Sequence, residues 1–205
     1  MRNGADVLLK SLFLSFGGQQ GLLVFNALLL GAGAVLVGRD LRKSRQGLSP
    51  GVFLGMAAES ALGGLVFGVV AGTLTAILLH GAPALMAVAQ GTGAFDLPTQ
   101  LMISLGAGIY EELLFRVLLV GSLAWAARRL LGWSPLAAGI AATLLGALLF
   151  SAFHYVGPYG DALELGSFTF RAVAGVLFSA MYLLRGLGIM AWTHALYDVF
   201  LTLMM

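Results

Sequence analysis

Long apolar runs separated by short polar breaks dominate the chain. A helix crosses the hydrocarbon core of a bilayer with about 20 apolar residues. Runs of that kind fall at 21–37, 51–79, 99–127, 135–153, 169–184 and 188–205. The stretch 81–98, with Pro83, Gly91, Gly93, Asp96 and Pro98, reads as a loop with room for a short interfacial helix. The first sixteen residues are apolar but interrupted by Asp6 and Lys10, and they lack a small-residue cleavage pattern. They are expected to form an interfacial or docked helix and not a signal peptide. The pattern predicts an all-α fold: a polytopic transmembrane helical bundle of about six to eight helices.

Composition sharpens this picture. Of 205 residues, 60% are hydrophobic and 10% charged, and the mean hydropathy is +0.96. A soluble domain carries roughly 25% charged residues, so a water-soluble enzyme, a disordered chain and a nucleic-acid-binding chain are excluded. The pI of about 9.2 arises from 11 Lys+Arg against 9 Asp+Glu. That small excess bears on topology instead. Arg39, Arg42, Lys43, Arg45, Arg128, Arg129 and Arg185 fall on one side of an alternating six-span layout. The loops 80–98 and 154–168 hold no cation but carry Asp96, Asp161 and Glu164. The positive-inside rule makes the first side cytoplasmic, with Arg2, Lys10 and Arg171 as minor exceptions. The absence of cysteine removes disulfides, thiolate metal sites and a thiol nucleophile. The 29 glycines suit helices that approach closely in lipid. Composition, small size and the lack of a targeting segment favour a multi-pass protein of a bacterial inner membrane.

An ionised side chain at mid-bilayer costs several kcal/mol and calls for a partner, a wet cavity or a function. The apolar segments hold Glu59, Glu111, Glu112, Arg116, His154, His194 and Asp198. Glu112 and Arg116 are four apart on one helix face, where carboxylate and guanidinium neutralise each other. Glu111 projects about 100° further round the same helix, without an in-helix cation. Two adjacent carboxylates in a low dielectric do not both ionise easily, a split that suits a general base working on water. A structural ion pair locking two helices explains Glu112 and Arg116 equally well. His154 ends the segment Phe150-Ser151-Ala152-Phe153-His154, where a lone histidine can simply cap a helix. His194 and Asp198 share a face at i and i+4. They can converge on one water or metal, the aspartate can fix the histidine tautomer, or the pair can stitch helices together. Glu59 has no patterned partner, is expected to make a structural hydrogen bond, and stays outside the site. No H-E-x-x-H occurs, and the nearest approach to G-x-G-D, ending at Gly160-Asp161, has the wrong spacing.

The order E-E-x-x-x-R, F-x-x-x-H, H-x-x-x-D/N resembles the CPBP family, the CAAX-prenyl-protease type II and bacteriocin-processing (Abi-like) intramembrane endopeptidases. Here the motifs stand as Glu111-Glu112…Arg116, Phe150…His154 and His194…Asp198. The resemblance covers roughly 99–205, the expected catalytic core; residues 1–98 are expected to be transmembrane and interfacial helices without a motif. It implies helices around a polar cavity and peptide-bond hydrolysis by a glutamate-activated water. Carried over by position, Glu111 is the general base and Glu112, held by Arg116, supports it. His154 and His194 bind the water or a metal and stabilise the oxyanion. Asp198, where many relatives carry Asn, orients the water or His194, and Phe150 packs one turn below His154. A divalent metal such as zinc would draw on His154, His194, Asp198 and Glu111; a metal-free water mechanism uses the same groups and is favoured slightly. The implied partners are membrane lipid and a membrane-associated protein or peptide substrate, with no nucleic acid.

The span layout and the resemblance conflict over depth. Twelve residues at about 1.5 Å each set Glu111 about 18 Å below the outer surface. On the same layout His154 lies at that surface and His194 nearer the cytoplasm. One shared site would need the third helix to begin near Gly106-Ala107-Gly108, or 184–190 to be re-entrant. A proton or cation relay, and a non-catalytic immunity or assembly factor on the same scaffold, are the alternatives that these residues leave open.

Overall fold

The computed structural model describes residues 4–43, 49–80, 96–156 and 160–204. Among them the order is α1 (Gly4–Lys43), α2 (Pro50–Leu79), α3 (Leu97–Glu112), a π-helical segment (Leu113–Val120), α4 (Gly121–Leu130), α5 (Pro135–Phe153) and α6 (Leu165–Met204). The protein is an all-helical bundle, as the apolar runs predict. Proline occupies the first turn of α2, α3 and α5, where its missing N–H costs no hydrogen bond. Ser134 caps α5 by accepting from the Ala137 amide at 3.2 Å.

Two of the long helices double back. Gly186 in α6 has φ 83° and ψ 174°, a region open essentially to glycine alone. In a straight helix Phe178 and His194 would lie about 24 Å apart, yet their rings stack with centroids at 4.4 Å. Residues 165–185 and 187–204 are therefore the antiparallel arms of a helical hairpin. Gly18 does the same in α1, with φ 53° and ψ −138°. There the Phe13 and Phe25 rings come within 5.3 Å, and the Lys10 ammonium lies 5.8 Å from the Tyr110 ring centroid.

The core sits where α2 and α3 pack on the α6 hairpin. Phe67, Ala71, Phe170, Ala174, Phe178, Met190 and Tyr197 form its main cluster, and the Phe67 and Phe178 rings stack at 4.0 Å. Lipid offers no hydrophobic drive for helices to associate, so close backbone approach has to supply the contact. Glycine provides it: Gly108 lies against the Ala195 backbone and Gly175 against Ala147, with no room for a Cβ at either, and Gly64 lies against Leu196 and Tyr197, where a Cβ would be tightly held. The outer faces stay apolar, as at Leu23, Phe53, Leu62, Leu136 and Leu183. Among the described residues, four helices are long and apolar enough to cross a membrane.

Three boundaries differ from the hydropathy reading. The third span begins at Leu97, because Pro98 starts the helix instead of ending the loop, and it continues as one helical path to Leu130. The first arm of α6 begins at Leu165, where the Glu164 carbonyl accepts from the Phe168 amide at 2.9 Å. The interfacial helix allowed for in 81–98 falls mostly on 81–95, outside the described residues.

Candidate active site

The three motifs come from three places in the bundle. Glu111 and Glu112 end α3, and Arg116 lies in the π-helical segment that follows. Phe150 is one turn from the end of α5 and His154 caps it. His194 and Asp198 lie on the second arm of α6. The π-helical segment was not legible in the sequence; such wide turns recur at functional sites because they re-aim side chains.

Glu112 is fully buried and sits between two cationic or donor groups. Its Oε2 pairs with Arg116 Nε at 2.9 Å and its Oε1 with His194 Nδ1 at 2.6 Å. The Arg116 guanidinium is 2% exposed. It also donates from Nη2 to the Gly175 carbonyl at 3.4 Å and lies 4.4 Å from the Phe150 ring centroid. The ion pair that the i, i+4 spacing predicts is therefore present, and it reaches across to α6 through His194. On its other side Arg116 lines a cavity of about 160 Å³ with Val120, Gly121, Thr143, Ser179 and Tyr182 among its walls.

His194 faces a carboxylate from each ring nitrogen, because Nε2 lies 3.6 Å from Asp198 Oδ2. Phe178 covers its face. His154 is held differently. Its Nδ1 lies 2.8 Å from the Phe150 carbonyl, which can only accept, so Nδ1 carries a proton and donates it. In the neutral ring Nε2 then presents a lone pair, and it lies 3.9 Å from Glu111 Oε2. The Phe150 ring contacts both histidines, at 4.8 Å from His154 and 6.3 Å from His194, and so packs below His154 as the resemblance implies.

All six residues singled out from the sequence, Glu111, Glu112, Arg116, His154, His194 and Asp198, thus meet in one cluster. The depth conflict dissolves without either remedy: α3 does not begin at 106–108, and the 184–190 segment is the turn of a hairpin whose two arms are the fifth and sixth expected spans. The error lay in measuring depth from the first residue of each expected span. The path 97–130 is roughly 50 Å long, far more than the ~30 Å hydrocarbon core, so counting residues from its first turn misplaces Glu111. Glu59 finds a partner that pattern did not reveal: Arg185 grips it from Nε at 2.6 Å, beside the Gly186 turn. This pair lies apart from the cluster and is largely exposed.

Zinc draws three protein ligands to about 2.0–2.2 Å. The four groups offered for it do not form one such set. Glu111 faces His154, Asp198 faces His194, and His194 Nδ1 is engaged by Glu112. Among the described residues, no three His, Asp or Glu side chains are grouped to hold a metal.

One neighbouring residue escaped the sequence reading. Arg171, set aside as an exception to the charge rule, is 4% exposed and bonded to Asp161. The signal was available: a cation inside an expected apolar span calls for a partner.

A family model described as type II CAAX prenyl endopeptidase Rce1-like matches residues 93–200. No curated protein and no solved structure matches the chain. The matched stretch covers more than half of the sequence and contains all three motifs. The chain belongs to the type II CAAX prenyl endopeptidase Rce1-like family, and it is a multi-pass intramembrane protease.

Proposed function

We propose that the protein cleaves peptide bonds of membrane-associated proteins or peptides with a water activated by Glu111. The observation that carries this is the gap between Glu111 Oε2 and His154 Nε2. At 3.9 Å it is too long for a direct hydrogen bond, and it joins two acceptors. A water about 2.8 Å from each can donate to both, which orients its lone pairs toward a scissile carbonyl. Glu111 takes one proton as the water attacks and returns it to the leaving amine. His154 holds the water by its second proton. Glu112, occupied by Arg116 and His194, stays out of the proton transfer. It fixes His194, whose Nε2–H, steadied by Asp198, donates to the oxyanion.

The substrate is a peptide segment presented at the bilayer. Residues 99–205 form the catalytic core of this reading, and residues 1–98 flank it. A bacterial inner membrane is the proposed location. Comparative proteomics of membranes from cells carrying wild type or Glu111→Gln tests the reading. A protein that keeps an uncleaved segment only in the variant supports it. Identical proteomes, with ion flux through the purified protein in liposomes, would favour the relay instead.

A further inference from the structure

His154 is held on both sides of its Cα. Upstream, its ring is tied to the Phe150 carbonyl. Downstream, its own carbonyl accepts from the Asp161 amide at 2.9 Å. The side chains that make this second tie firm converge on Arg171, one of the described residues that no motif includes. Arg171 Nη2 donates to Asp161 Oδ2, and the guanidinium lies 5.1 Å from the ring centroid of Tyr155, the residue after His154. Tyr155 is fixed in turn by its hydroxyl, 2.5 Å from Ser167 Oγ, at the start of α6. A single planar cation from α6 therefore grips both Tyr155, the next residue after His154, and Asp161, whose amide bonds the His154 carbonyl.

The burial of Arg171 is costly, and among the described residues its Nη1 finds no hydrogen-bond partner. We propose that Arg171 is a positioning residue for the hydrolytic reaction: by holding Asp161 and Tyr155 it sets the orientation in which His154 Nε2 faces Glu111. This rests on the Glu111–His154 reading above. The flat guanidinium matters as well as the charge, because it must stack on Tyr155 while it bonds Asp161. Lysine at this position keeps the charge and loses the stack.

The test uses the full chain in nanodiscs, labelled with ¹⁵N-histidine. With three histidines in the sequence, the imidazole signals of His154 and His194 are separable by substitution. Arg171→Met is expected to shift or broaden the His154 signal and leave that of His194 in place. It is also expected to lower kcat for a quenched-fluorescent peptide about tenfold or more, with KM little changed. Arg171→Lys is expected to recover part of both effects. If Arg171→Met does not fold, Asp161→Asn reports on the same grip through the same two readouts. A His154 signal identical to wild type, or a changed signal with kcat intact, overturns the proposal. Neither readout depends on the identity of the base: Glu111→Gln that retains activity would sink the water mechanism while the spectra still report the Arg171 grip.

Discussion

His194 Nδ1 lies 2.6 Å from Glu112 Oε1, a bond that joins positions 82 residues apart and ties α3 to the far arm of α6. Because the other oxygen of Glu112 is paired with Arg116, the bond settles how two adjacent glutamates differ. One is locked into the scaffold. The other faces His154, its Oε2 3.9 Å from Nε2.

Breaking the lock is expected to cost stability before chemistry. Glu112→Gln or Arg116→Met leaves a buried charge without its partner, a loss of about 3–5 kcal/mol. Thermal unfolding in detergent should show a clearly lowered midpoint for each single variant. A double-mutant cycle on the two positions should be strongly non-additive.

Gly186 is expected to tolerate no side chain. Its backbone conformation costs any other residue about 1–3 kcal/mol, and the hairpin it forms is what brings His194 under Phe178. Gly186→Ala should lower the melting temperature and cut peptide cleavage, measured on the same preparation. Gly139→Ala is the control, since a Cβ there meets nothing within 4 Å.

Asp198→Asn is expected to stay within about tenfold of wild-type activity, because an amide oxygen still presents an acceptor toward His194 Nε2, which lies 3.6 Å from Asp198 Oδ2. Asp198→Ala removes the acceptor and is expected to lose on the order of 10²-fold, as when a positioned polar partner is deleted. Cleavage rates of the two variants side by side check this.

Zinc is expected far below one equivalent in active protein, and chelator is expected to leave cleavage unchanged. Metal analysis before and after chelation, alongside the assay, measures both.

Much of this site was legible because charge is scarce in the chain. In a lipid-spanning sequence every ionisable residue stands out, and Glu112 with Arg116, and His194 with Asp198, also share a helical spacing. Phe150 and His154 followed from the same period. What pattern could not supply was anything set by backbone reversal or by contacts between separate elements. The Gly186 hairpin was implicit in the two expected spans on either side of it, but the facing of Phe178 and His194 was not. The π-helical segment after Glu112 has no composition signal, since Leu113–Val120 reads as an ordinary apolar helix. Arg185 was counted as a topology marker and Arg171 as an exception to the charge rule, because their partners, Glu59 and Asp161, lie on other elements, where sequence spacing carries no information.

The central claim is that Glu111 and His154 share the attacking water, and the cleavage rate of a membrane-anchored peptide by reconstituted protein tests it most directly. Glu111→Gln and His154→Ala should each lose about 10²–10⁴-fold in kcat, with melting temperatures close to wild type. Cleavage by Glu111→Gln at the wild-type rate would contradict the account.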